Sequence, residues 1–191
     1  MIQFKNIRWK NFLSTGNQFI EVQFDKAPTT LIIGENGSGK STILDALTFS
    51  LFGKPFRRIN KPQLVNSVNN GGTLAEVEFE IGTKRYMVRR GIKKNIFEIF
   101  VDGKRLNQDA KIADQQEYLE NSILKLNSKS FAQIVVLGSA SFTPFMQLKT
   151  TDRRAIIEDL LDIQIFSTMN GLLKLRIASN KEDNSNNNVK L

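Results

Sequence analysis

Eight consecutive residues, Gly34-Glu35-Asn36-Gly37-Ser38-Gly39-Lys40-Ser41, followed by Thr42, set glycine, lysine and hydroxyl side chains at the spacing GxxxxGK[ST]. The three glycines let the backbone turn sharply and approach a polyanion with no side chain between, so that successive N–H groups point at phosphate oxygens. Lys40 supplies the cation for the β- and γ-phosphates and is the one residue to which a catalytic part is assigned. The Ser41 hydroxyl stands where Mg²⁺ needs an oxygen ligand, since that ion borrows most of its shell from phosphates and water. Binding of a nucleoside triphosphate with magnesium is the chemistry these residue types support. Asn36 has two readings that the sequence leaves open: its amide contacts the terminal phosphate, or it tolerates a left-handed turn.

Such a loop works only between a strand and a helix. Residues 29–33, Thr-Thr-Leu-Ile-Ile, form a short β-branched run that predicts the strand. Residues 41–52 predict the helix, with Ile43, Leu47 and Leu51 on one face and its positive N-terminal end aimed at the phosphates. Gly53, with Pro55 two residues on, marks its end. Asp45 on this helix reads as a surface or capping residue in preference to a neighbour of the magnesium shell.

The chain has 191 residues, room for one well-buried core, and no cysteine or histidine. That composition excludes disulfides, the usual zinc sites, thiol nucleophiles and imidazole bases. No run is long enough to cross a bilayer, and Met1-Ile2-Gln3-Phe4-Lys5 opens no signal peptide, so the expectation is a cytoplasmic protein without a membrane partner. The formal charge of +8 points to nucleic acid as a partner, with plain solubility as the competing explanation.

Hydrophobic periodicity fills in the rest. Ile2, Phe4, Ile7 and Trp9 predict an irregular first strand, and Ile20, Val22 and Phe24 a half-buried second one. Val77, Phe79 and Ile81 alternate with Glu76, Glu78 and Glu80, and after Gly82-Thr83 comes an arginine-bearing strand whose Arg85 and Arg89 can pair with the glutamates. Residues 96–101 and the turn Asp102-Gly103 complete an antiparallel meander. A helix is expected over 110–126 with Ile112, Leu119, Ile123 and Leu126 in one stripe, and a buried strand over 134–137. A further helix capped by Thr151 or Asp152 should bury Ile156, Ile157, Leu160 and Leu161, with Glu158 and Asp159 solvated. Phe166, Met169 and Leu173 have the spacing that opens a coiled coil.

The loop, its helix and four further stretches (residues 7–14, 76–90, 131–146 and 153–166) resemble the N-terminal ATPase segment of the SbcC-type, SMC-related DNA-repair ATPases, most of all their phage recombination-exonuclease subunits. The resemblance implies an α/β fold: a P-loop NTPase in the form of the N-terminal lobe of an ABC-type ATPase head, with an antiparallel β subdomain and the start of a coiled-coil helix. The expected division is a lobe over 1–165, the coiled-coil start over 166–179 and a disordered tail or linker over 180–191. Residues 34–42 (Gly34, Glu35, Asn36, Gly37, Ser38, Gly39, Lys40, Ser41, Thr42) would bind ATP, with Ser41 on Mg²⁺.

The same resemblance implies other components. They are a C-terminal lobe carrying the magnesium-site aspartate, catalytic glutamate and signature sequence; a second head in a dimer with ATP sandwiched between; an SbcD-type nuclease subunit; and double-stranded DNA whose ends the complex processes. The family's magnesium- and water-sensing glutamine aligns with Ser139, while Gln133 lies upstream. Where the family has an arginine near the nucleoside, this chain has Leu13. Lys93, Lys94, Lys54, Arg57 and Arg58 are the candidate DNA contacts, drawn from basic clusters in the meander and in the loop over 54–61. The competing reading is a truncated or split chain serving as a non-hydrolysing scaffold for DNA or another subunit.

Overall fold

A computed structural model describes residues 2–106, 111–136, 143–161 and 163–188. The chain divides into two compact units, Met1–Leu124 and Lys125–Leu191, a division that falls inside the stretch 1–165 expected to form one lobe.

The first unit is an antiparallel sheet with a helix packed on one face. Its strands are β1 (Ile2–Lys10), β2 (Ile20–Gln23), β3 (Leu74–Ile81), β4 (Lys84–Gly91), β5 (Phe97–Val101) and β6 (Lys104–Arg105), in the spatial order β2-β1-β3-β4-β5-β6. The irregularity expected in β1 is a register shift between Phe4 and Asn6, which sets Ile7 opposite Val77 and Trp9 opposite Ala75. Asp102 (φ +51°) and Gly103 (φ +77°) both take the left-handed conformation that a two-residue hairpin turn demands. The meander therefore forms as its alternation predicts.

Helix α1 (Thr42–Phe52) lies against β1, β3 and β4 and is buried on nearly every side, not on one stripe alone. It ends at Gly53, whose φ of +69° and N–H bond of 2.8 Å to the Phe49 carbonyl make a left-handed C-cap. Helix α2 (Ile112–Tyr118) runs on into a π-helical turn over Leu119–Leu124. The wider winding alters the expected stripe: Leu119, Ile123 and Leu124 are buried, while Ile112 is exposed and Leu126 lies beyond the helix.

The opposite sheet face is a ladder of charges. Register brings Arg8, Glu76, Arg89 and Glu98 side by side across four strands. Glu76, 2% exposed, accepts from Arg8 Nε and, at 2.5 Å, from Arg89 Nε. Arg89 and Arg105 also reach Glu98, and Arg85 reaches Glu80, whose carboxyl Lys5 and Arg85 hold below its ordinary pKa. The cross-hairpin pairing read from the sequence is present.

Several expectations are corrected. Residues 29–33 form no strand; Leu31 and Ile33 are 80% and 83% exposed, because a strand needs a neighbour to complete its ladder and none lies beside this run among the described residues. In the second unit Ile134, where a strand is expected over 134–137, instead ends helix α3 (Ser128–Ile134), nucleated by Asn127, whose side chain accepts from the Lys129 and Ser130 N–H groups; Leu137 lies outside the described residues. Helix α4 (Thr150–Leu160) begins after Lys149, so neither Thr151 nor Asp152 caps it. Of its apolar residues Ile156 is buried, while Ile157, Leu160 and Leu161 are exposed. Asp159 is buried, not solvated: Asn127 and Ser130 both donate to it, tying α4 to the start of α3. Helix α5 (Gln164–Asn188) runs through residues 180–188, part of the stretch read from the sequence as a disordered tail or linker.

Glu76→Ala would strand Arg8 and Arg89 beside a buried gap. It should cost about 2 kcal/mol in urea unfolding, and Glu76→Gln, which keeps the shape but removes the charge, should lose most of that; a negligible loss in Glu76→Gln would contradict the charge-pairing account.

Candidate functional site

The loop between residues 34 and 42 closes on itself. Gly37 and Gly39 have φ of +88° and +94°, which side chains seldom allow, and a Cβ on Gly34 would sit 2.5 Å from Ser38 Oγ. Each glycine of the motif thus has its own reason. Lys40 Nζ donates to the carbonyls of Gly34 at 2.6 Å and Glu35 at 2.7 Å, drawing the loop into a ring at the N-terminus of α1. Ser41 occupies the N-cap with no capping bond from its hydroxyl, which leaves that oxygen available to a cation, whereas Thr42 is buried. Asn36 is not left-handed, so the turn-tolerance reading fails.

A cleft of about 550 Å³ opens over this ring, within the size range of small-ligand sites. Its floor is the loop, Asn36 included; its walls are Leu13 and Ser14 on one side and Gln63, Val65 and Ser67 on another, with Arg57 at the margin. The walls are held by asparagines. Asn11 (φ +49°) donates to Asn17, accepts from Asn69 at 2.7 Å, and through its carbonyl accepts from Asn66 N–H and Thr73 Oγ1. Asn66 in turn donates to the Leu13 carbonyl at 2.9 Å. Such side-chain to backbone bonds substitute for a sheet ladder and fold residues 64–73 back against 11–17. Sequence reasoning missed Gln63, Val65 and Ser67 as wall residues; the run of asparagines was the signal, and it reads as loop.

Arg57 changes its assignment. Asp45, fully buried, accepts from Arg57 N–H at 2.9 Å and from Nε at 2.6 Å, so the ion pair holds the guanidinium at the cleft margin while the Arg57 side chain stays 45% exposed. Asp45 is accordingly neither a surface nor a capping residue. Lys93 (φ +69°) donates to the Asn70 carbonyl and, at 2.6 Å, to Asn70 Oδ1. Lys54, Arg58 and Lys94 remain exposed, with no ion pair among the described residues. The meander's other cations do not form one strip: Arg85, Arg89 and Arg105 pair with glutamates, and Arg90 points to the opposite, helix-covered face. Ser139 lies outside the described residues, and Gln133 on α3 donates to the Thr143 carbonyl at 3.0 Å.

Arg90, next to Arg89 on β4, lies on the buried side of the sheet. It is 6% exposed, its guanidinium donates to the Ser50 carbonyl at 3.1 Å and to Gln116 Oε1 at 2.5 Å, and it stacks 3.7 Å from the Phe97 ring centroid. Burial pulls its pKa down to about 10, which still leaves it charged at neutral pH. The charge therefore complements the negative end of α1.

Comparison with known proteins agrees with this geometry. Residues 6–190 match the AAA domain family. Exonuclease subunit 2 of Escherichia phage RB69 is 48% identical over 171 residues, covering 90% of this chain and 30% of that protein. A DNA double-strand break repair Rad50 ATPase of Thermoplasma acidophilum is 30% identical over 176 residues, 88% of this chain and 19% of its own. The chain thus spans less than a third of the length of these curated relatives. In fold, the Smc head domain of Pyrococcus furiosus, solved with an extended coiled coil and the C-terminal domain of ScpA, matches with a TM-score of 0.61 at 20% identity, covering 95% of this chain and 48% of that one. A structure from work on ATP-driven dimerization and DNA-stimulated activation of SMC ATPases matches with a TM-score of 0.52 at 21% identity, covering 83% of this chain and 99% of that one. The architecture is that of the N-terminal lobe of a P-loop, ABC-type ATPase head, and the chain belongs to the AAA domain family, as a relative of phage exonuclease subunit 2 and of the Rad50 and SbcC ATPases.

Proposed function

We propose that this chain is the ATP-binding lobe of an SMC-like ATPase that works, through a C-terminal lobe and a nuclease partner, on DNA double-strand ends in the cytoplasm of a host cell. The observation that carries the reading is the closed glycine ring at the N-terminus of α1 beneath a cleft, with Lys40 and Ser41 side by side. The cradle fits a triphosphate: its N–H groups and Lys40 supply positive potential, and the space a Cβ on Gly34 would fill is what lets the loop close. Mg²⁺ would be held by the Ser41 hydroxyl and would supply charge neutralisation at the phosphates.

Hydrolysis needs more than the cleft contains. No carboxylate is among its described lining residues, and neighbouring Asp45 is committed to Arg57. A water-orienting acid must then come from another part of the assembly. Two features of this chain favour such a complement. The apolar run at 29–33 is exposed and pairs with no strand among the described residues, and α5 exposes Phe166, Met169, Leu172 and Leu173, a face that suits a second coiled-coil helix. The roles of the relatives, exonuclease subunit and double-strand break repair ATPase, extend the proposal to a dimer of heads, an SbcD-type nuclease and double-stranded DNA. Lys54, Arg58 and Lys94 are the proposed phosphate contacts.

Calorimetric titration of the chain, co-expressed with its complementary lobe, should give saturable ATP·Mg²⁺ binding that Lys40→Ala abolishes. Binding unchanged by Lys40→Ala would overturn the site, and DNA association unaffected by that variant would favour the scaffold reading. Asp45→Ala should loosen Arg57, weaken ATP affinity by about tenfold and cost roughly 1–2 kcal/mol of stability, since the partner left behind is half exposed and water can take over part of its solvation. Undiminished affinity in a folded Asp45→Ala protein would show that Arg57 has no part in the cleft.

A further inference from the structure

We propose that Arg90 is a positioning residue for the phosphate loop, and that with Gln116 it couples nucleotide occupancy to the helical segment over residues 112–124. The inference rests on the proposed nucleotide binding and adds a route by which that site communicates with the rest of the first unit.

Helix α1 must satisfy the carbonyls of its last turn inside the protein, where water cannot do so. The Phe49 carbonyl takes the Gly53 N–H. Those of Ser50 and Leu51 are taken by side chains from two other elements: Arg90 of β4 donates to Ser50 at 3.1 Å and to Leu51 at 3.5 Å, and Gln116 of α2 donates to Leu51 at 3.0 Å. Arg90 and Gln116 are themselves bonded at 2.5 Å, and Gln116 donates to Glu120 at 2.6 Å. One continuous set of bonds therefore runs from the end of α1 to the π-helical turn.

The geometry is tight. A Cβ on Gly53 would come within 3.1 Å of an Arg90 nitrogen, and the Phe97 ring closes the guanidinium's face. A planar fork that donates in several directions while stacked on a ring is a task lysine cannot copy. Eleven residues of α1 amount to a rod of about 16 Å, so a fixed C-terminus sets the axial position of the loop at the other end. Conversely, phosphate held at the N-terminus restrains the carbonyls that Arg90 and Gln116 grip.

The far end of this relay is the π-helical turn over Leu119–Leu124. A π turn is a strained variant of the α-helix that often marks a functional position. Leu119, Ile123 and Leu124, all buried, hold this turn against the rest of the first unit. Gln116 and Glu120 sit on either side of its boundary with α2.

Hydrogen exchange read by mass spectrometry on the full chain, with and without ATP·Mg²⁺, tests the inference. In the wild type, ATP should protect residues 34–42 and slow exchange across 112–124 by several-fold. Gln116→Met should keep the first effect at saturating ATP and lose the second. Arg90→Gln should raise the Kd for ATP about tenfold, with partial recovery in Arg90→Lys, a split that generalised loss of packing would not produce. Protection of 34–42 in the wild type without any change at 112–124 overturns the coupling, as does wild-type ATP affinity in Arg90→Gln. If Arg90→Gln fails to fold, Gln116→Met decides the question alone. Absence of protection at 34–42 in the wild type would instead overturn the nucleotide reading, and this inference with it.

Discussion

A helix buried on nearly every side has polar backbone groups at both ends that must find partners, and most of this lobe answers that constraint for α1. At its N-terminus the Thr42 N–H bonds the Gly39 carbonyl at 2.9 Å, and the glycine loop ahead of it is where we place a phosphate oxygen as the further partner. At its C-terminus Gly53, Arg90 and Gln116 take the last carbonyls. Between the ends, Asp45 draws Arg57 and the loop behind it onto the helix. The proposed binding site, the cleft margin and the proposed relay are thus attached to one element.

The charge of the protein is distributed by the same logic of burial. Three arginines of the meander are engaged within the sheet, Arg85 with Glu80, Arg89 with Glu76 and Glu98, and Arg105 with Glu98, while Glu76 also takes Arg8. A buried carboxylate between two guanidiniums fixes strand register, because a slip of one residue would move every partner to the other face. The cations left for a polyanion are a sparser, exposed set, Lys54, Arg58 and Lys94 among them. The excess charge of +8 is therefore a poor guide to where nucleic acid would lie.

The parts legible in the sequence were those set by local rules. Glycine spacing gave the loop, glycine with proline two residues on gave the end of α1, and strict alternation with Asp102-Gly103 gave the meander. The parts that misled depended on partners distant in sequence or outside the chain. Residues 29–33 have every local feature of a strand but no neighbour to pair with among the described residues, and Ile134-Val135-Val136 has the composition of a strand although Asn127 caps a helix that runs into it. Asp45 and Arg90 carry charges that ordinarily mark a surface; only the fold shows that Arg57 and the α1 carbonyls await them. Cleft walls built by asparagine side chains leave no periodic trace at all.

Amide shifts of the loop glycines offer the sharpest test of the central claim that this ring closes around phosphate. In a ¹⁵N-labelled protein titrated with ATP·Mg²⁺, the N–H resonances of Gly37 and Gly39 should move furthest and saturate together, with Lys40 and Ser41 tracing the same curve. Stationary glycine resonances, with shifts arising elsewhere in the chain, would contradict the account.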